Sequence, residues 1–253
     1  LYLYDGGGWG GIEDLSSFSA SANFGVVGST GVDYLNLNID RSSELTGNMT
    51  IAMGDGNASR GAAKLKNGAS IDMGAGNDSI GIMVTGSNGT PSYASLDITK
   101  LDGGAGTDTL SFGNMGSQGS TELTLTHGGV TNFENIDGTG GADIIRGDNG
   151  TNILRGSGGA DTIYGGYQGD VIEGGNGANK LYGEEGADTI TSGSGADTVE
   201  AGAGADSITT AGGADDVEGG AGNDTIDTGD GADLVKGGAG ADAITMGAGR
   251  DTY

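Results

Sequence analysis

The chain has 253 residues, of which 58 are glycine, one is proline and none is cysteine, and its net charge is −25. Collagen, which needs glycine at every third position and abundant proline, is excluded, as are disulfides and thiolate metal sites. Nucleic acid and anionic membrane surfaces reward Lys and Arg and are poor partners for so acidic a chain, and no apolar run approaches the ~18 residues of a transmembrane helix. A flexible acidic linker and a glycine-turned solenoid remain, with a multivalent cation as the favoured partner.

The opening LYLYDGGGWGG is apolar and Gly-rich. It reads as continuing an upstream element or as sitting in an interface, with Trp9 as a packing residue. The chain starts at Leu1 without a Met or signal-peptide pattern and stops at Tyr253 inside a repeat, so it reads as a fragment of something longer. Up to residue 137 a nine-residue signature recurs at wide spacing: GSTGVDYLN (28–36), the loop start MGDGNAS (53–59), MGAGNDSIG (73–81) and GGAGTDTLS (103–111). Between these lie β-prone stretches such as NMTIAM, SIGIMVT, YASLDITKL and TELTLTH, and nothing shows capped helical periodicity. Residues 1–137 are therefore expected to form an irregular parallel β-solenoid with longer strands, continuous with the C-terminal half of the chain. Asp78 and Asp108 are candidate metal ligands whose stacking partners cannot be assigned from the sequence. His127 is the only histidine, so an H-E-x-x-H zinc site is excluded. No G-x-S-x-G elbow is present. The expectation is that the chain is not an enzyme, an acid–base pair of carboxylates in 1–137 being the minor alternative.

From Gly138 onward the chain is an unbroken run of nonapeptides, twelve complete and a thirteenth one residue short. Position six holds Asp143, Asn152, Asp161, Asp170, Asn179, Asp188, Asp197, Asp206, Asp215, Asp224, Asp233, Asp242 and Asp251. Position eight holds Ile145, Leu154, Ile163, Ile172, Leu181, Ile190, Val199, Ile208, Val217, Ile226, Val235, Ile244 and Tyr253. Position four is Gly everywhere except Gln168. A linker has no reason to keep one aliphatic in register every nine residues. The first six residues of each unit suit a tight loop. The last three are β-prone, with one apolar side chain pointing inward.

This register resembles the repeats-in-toxin consensus GGxGxDxUx, with U a large aliphatic, and VTNFENIDGTGGADII (130–145) resembles the lead-in common before such arrays. The resemblance implies an all-β, right-handed parallel β-roll over 138–253 with two nonapeptides per turn, repeat n lying against repeat n+2. It arranges the position-six residues in two columns: Asp143, Asp161, Asn179, Asp197, Asp215, Asp233 and Asp251 in the first, and Asn152, Asp170, Asp188, Asp206, Asp224 and Asp242 in the second. Stacked carboxylates repel, by about 1 kcal/mol for unit charges 4 Å apart in water and by more at lower dielectric. Calcium, which takes six to eight oxygens, reverses that sign. The family places each ion between consecutive loops of one column. Seven and six residues leave up to eleven such gaps, and those flanking Asn152 and Asn179 are expected to be weaker.

On the outer face, position nine of the first column stacks Arg146, Tyr164, Tyr182, Glu200, Glu218 and Lys236, read as a solvated face with a Tyr–Tyr ladder in preference to a partner strip. The implied function is a calcium-dependent folding and spacer module of a secreted or cell-surface bacterial protein that leaves by type I secretion. The alternatives are a building block of an extracellular assembly (adhesin stalk, surface layer or fibre), with self-association or a surface partner, or the accessory end of a secreted protease, lipase or toxin. Ice binding through the stacked Thr189, Thr191, Ser207, Thr209 and Thr225 is disfavoured, because Asp227 and Ala243 interrupt the array.

Overall fold

The computed structural model describes residues 98–111 and 130–253 continuously and, elsewhere, residue 77 and a set of short strands; side chains are described at 77, 79, 102–111 and 132–253. Asp33, Asp78 and His127 lie outside the described residues. No helix occurs among the described residues, and every strand pairing is parallel except those of Tyr2–Tyr4. The fold is an all-β parallel solenoid. It divides into two compact units, Leu1–Asn114 with Leu125–Asn135 and Met115–Thr124 with Ile136–Tyr253.

In the first unit two ladders run side by side in sequence. One contains Tyr34–Leu35, Ser59–Ala63, Ser79–Ile82 and Thr109–Ser111. The other contains Phe24–Val27, Met49–Ala52, Ala69–Asp72, Ile98–Asp102 and Val130–Thr131. Partners such as Phe24 and Met49, Ser59 and Ser79, and Ser79 and Thr109 lie 25, 20 and 30 positions apart. The rungs are thus longer than two nonapeptides and unequal, and the register shifts at Arg60/Ala63 and at Ala69/Ser70.

The second unit is regular. Strands Asp143–Arg146, Thr162–Tyr167, Lys180–Glu185, Thr198–Ala203, Asp216–Ala221 and Leu234–Ala239 form one parallel ladder, preceded by Thr121–Thr124. Strands Ile153–Arg155, Val171–Glu173, Thr189–Thr191, Ser207–Thr209, Thr225–Asp227 and Ala243–Thr245 form the other. Each residue pairs with the one 18 positions on, as in Ile163 with Leu181 and Ile172 with Ile190, so one turn is two nonapeptides.

Alternation places position eight in the core. Ile145, Leu154, Ile163, Ile172, Leu181, Ile190, Val199, Ile208, Val217, Ile226 and Val235 are all buried. Each contributes roughly 1.5–3 kcal/mol of burial. One aliphatic per nine residues makes a thin core. It is closed by backbone hydrogen bonds that continue the ladders through the loops, such as Gly156 N–H to Glu173 O at 2.9 Å and Gly177 N–H to Ser194 O at 2.8 Å. On the outer face Arg146 lies 4.1 Å over the Tyr164 ring, and Tyr164 stacks on Tyr182 with centroids 4.9 Å apart. Lys236 pairs with Glu218 at 3.3 Å, while Arg155 bridges Asp137 and Glu173 at 3.0 and 3.1 Å. The outer strip is therefore internally partnered at these positions; exposed pairs of this kind contribute little each.

Candidate metal centre

The position-six side chains leave the loops just before each strand and turn inward under the glycines. Asp143, Asn152, Asp161, Asp170, Asn179, Asp188, Asp197, Asp206, Asp215, Asp224 and Asp233 are all buried, and Asp242 and Asp251 are half-buried. They form two files. In the first, Oδ1 of Asp161, Asn179, Asp197, Asp215, Asp233 and Asp251 each accepts the backbone N–H of the residue one turn before it, at 2.7–3.2 Å. Asp170, Asp188, Asp206, Asp224 and Asp242 do the same in the second, at 2.8–3.1 Å.

The second carboxylate oxygen is treated differently. Oδ2 of Asp161, Asp170, Asp188, Asp197, Asp206, Asp215, Asp224 and Asp233 is buried with no hydrogen-bond donor. Those of Asp161, Asp170, Asp188 and Asp224 point toward the glycine that opens their own repeat. A Cβ built on Gly165 would stand 2.6 Å from Asp170 Oδ2 and 2.7 Å from the Gly183 carbonyl oxygen, so glycine there keeps open a space walled by acceptor oxygens. A buried anion with an orphaned oxygen costs several kcal/mol unless a cation or proton meets it. Burial accordingly pushes the Asp161 and Asp206 carboxyls up to about 6 and that of Asp170 up to about 7, against the pull of the N–H from the preceding turn. Burial also raises Asp188 and Asp215; the Asp197 N–H and the nearby Thr210 hydroxyl pull Asp215 the other way.

Three of the eleven buried position-six residues lack the orphan. Asn179 Nδ2 donates to Gly175 O at 3.1 Å, and Asn152 Nδ2 donates to Asp148 Oδ1 at 3.2 Å, so an amide N–H supplies there the positive partner that the aspartates lack. Asp143 Oδ2 accepts the Thr139 N–H at 2.7 Å and lies 2.9 Å from its hydroxyl. In the first unit Asp108 is fully buried, and its N–H donates to Glu134 Oε2 at 2.7 Å. That is the same bond in a different residue type. Glu134 is a member of the pattern that a register begun at Gly138 passes over. Counting back one nonapeptide places it at position six of 129–137, with the buried Ile136 at position eight.

Among the described residues, no three His, Asp or Glu side chains converge on one point. A bound cation would therefore meet one or two carboxylates and complete its shell with loop carbonyls, a donor set of oxygens only. Such a set suits calcium and offers nothing to softer metals. Orphaned buried carboxylate oxygens, walls of carbonyl oxygen and glycines that keep the space open all fit it. The pattern defining the RTX calcium-binding nonapeptide repeat (4 copies) matches residues 100–114, 137–166, 164–199, 191–226 and 218–253. The chain belongs to this RTX family. No curated protein matches it. The RTX repeat is a calcium-binding structural module of secreted proteins, and its match at 100–114 takes in Asp108 within the first unit. No helix among the described residues is long and apolar enough to cross a membrane.

Proposed function

We propose that this chain is a calcium-dependent folding and spacer module of a secreted bacterial protein, disordered where calcium is scarce and rigid outside the cell. The observation that carries the reading is the file of orphaned carboxylate oxygens in both columns. Without cations these oxygens repel along the length of each column, and one aliphatic per nonapeptide has to oppose them. With calcium held by Asp161, Asp170, Asp188, Asp197, Asp206, Asp215, Asp224, Asp233, Asp242 and Asp251, together with loop carbonyls, repulsion becomes attraction, and the free energy of binding becomes free energy of folding. Asp108 and Asp78 extend the ligand set into 1–137, and Asp143, Asn152 and Asn179 form its weaker members. The roll over 138–253 offers up to eleven gaps, and eleven divalent ions would nearly cancel the net charge of −25. Residues 1–137, with longer rungs, act as a separate and less calcium-loaded spacer.

Calcium titration followed by far-UV circular dichroism tests this. Strand signal should be weak in chelator and rise cooperatively to a plateau at millimolar calcium. Full strand signal in excess chelator would overturn the reading.

A further inference from the structure

Position one of each nonapeptide is the residue whose Cβ would point at the orphaned carboxylate oxygen. In the first column that residue is Gly138, Gly156 and Gly174 in the early loops, and then Ser192, Thr210 and Thr228 in three successive loops. The glycines show where these side chains go. A Cβ on Gly156 would meet Asp161 Oδ2, with the Gly174 carbonyl oxygen 2.7 Å away; one on Gly138 would lie 2.9 Å from Asp143 Oδ2 and 3.0 Å from Gly156 O. Ser192, Thr210 and Thr228 set their Cβ at the equivalent point of the loop. Thr210 Oγ1 donates to the Thr228 carbonyl oxygen at 3.0 Å and lies close enough to the Asp215 carboxylate to act on it. Thr210 Oγ1 thus lies between the Thr228 carbonyl oxygen and the Asp215 carboxylate, whose Oδ2 is buried without a hydrogen-bond partner. One turn on, Thr228 is fully buried and its Oγ1 has no hydrogen-bond partner, in the loop of Asp233, whose Oδ2 has none either. Ser192 Oγ is likewise buried without a partner in the loop of Asp197, whose Oδ2 is orphaned too.

A hydroxyl can satisfy a neighbouring carboxylate by donating to it, as Thr139 is placed to do at Asp143, 2.9 Å from its Oδ2. Here two of the three hydroxyls, those of Ser192 and Thr228, make no hydrogen bond, and that of Thr210 bridges toward the next loop through the Thr228 carbonyl. Buried hydroxyl and carboxylate oxygens left without partners are costly, and one cation held between them would satisfy both. We propose that Ser192, Thr210 and Thr228 are neutral oxygen ligands of the divalent cations held at Asp197, Asp215 and Asp233. These three loops then bind through one more side-chain oxygen than the glycine loops do. The inference rests on the proposed calcium binding and assigns ligands that the nine-residue consensus, with glycine at this position, does not contain.

The test is calorimetric calcium titration of the 253-residue chain and of T228V, T228S and the triple variant S192A/T210V/T228V, with circular dichroism at saturating calcium as the check on folding. Thr→Val keeps the shape and removes only an oxygen that makes no bond in the protein at Thr228; left without a ligand role, that change should be neutral or stabilising. The expected result is a loss of calcium affinity of about fivefold at one site in T228V, a larger loss in the triple variant, and near-parental binding in T228S. T228V binding calcium as tightly as the parent, or more tightly, would overturn the proposal while leaving the proposed calcium binding intact. A parent chain that takes up no calcium would overturn both.

Discussion

An aspartate and an asparagine at position six differ in one terminal atom, and the column turns that difference into opposite needs. Asn179 presents an N–H to the Gly175 carbonyl, whereas Asp161 and Asp197 present a second acceptor to a space already walled by acceptors. Replacing Asn179 by Asp should therefore cost the calcium-free fold about 1–3 kcal/mol, the usual cost of an unsatisfied buried polar group. It should also lower the calcium concentration at half-folding and sharpen the transition, which titration by circular dichroism reads directly. An unchanged midpoint would mean that the gap beside Asn179 holds no ion. That Asn152 and Asn179 would be the odd members was legible in the sequence from their lost charge. That their amides close onto Asp148 and Gly175 was not, because which way a side chain turns in a loop depends on the stacked neighbour. Glu134 escaped for a different reason. Its longer side chain breaks the residue-type pattern while keeping the spacing, and the spacing is what its bond to Asp108 obeys.

Each nonapeptide is set by its glycines as much as by its aspartate. Gly177, at position four, has φ of 124°, and a Cβ there would run into the Gly159 carbonyl of the turn before. Gly177→Ala should destabilise the calcium-loaded roll by about 2–4 kcal/mol, because a forbidden backbone conformation and a steric overlap act together. Gln168 occupies the same position with φ of 66°, inside the region where side chains are tolerated, and its Nε2 donates to Asn149 O at 2.6 Å. Gln168→Ala should then change stability by only about 1 kcal/mol, since one exposed hydrogen bond is lost and no overlap arises. Thermal unfolding of both variants in saturating calcium makes the comparison. The strands of the second ladder in 138–253 were readable nearly to the residue, because strict period, buried aliphatic and loop glycines all agree, whereas those of the first, such as Thr162–Tyr167 and Thr198–Ala203, run three residues on into what the sequence marks as loop. Those before residue 115 were readable only as β-prone stretches: rungs of 20, 25 and 30 residues share no common period from which pairing could be counted.

At the scale of the molecule, the two carboxylate files couple folding to protons as well as to calcium. Burial lifts Asp161, Asp170 and Asp206 to about 6, 7 and 6, above the ~3.9 of an unfolded aspartate, so the calcium-free fold binds more protons than the unfolded chain. The stability these groups add is fully present below about pH 3.9 and is lost as pH rises through 6 to 7. In chelator, strand signal should therefore grow as pH falls from 7.5 toward 4. With calcium present, acid should act in the opposite sense: at pH 6 a carboxyl with a pKa of about 7 is about nine-tenths protonated, and the calcium midpoint must rise. Circular dichroism across pH, with and without chelator, separates the two arms. A calcium-free signal that falls on acidification would contradict the burial of these carboxyls.

The 18-residue register also restricts how such a chain can change its length. Every environment recurs two nonapeptides later, so excision or duplication of 18 residues within 138–253 returns each downstream side chain to an equivalent neighbour. Loss of nine would transpose the columns, moving Thr228 and Lys236 to the opposite side of the roll. Loss of a single residue would turn the downstream aliphatics outward and their aspartates out of file. Genetic drift in length is thereby confined to whole turns, while drift in residue type remains free wherever the loop geometry allows it.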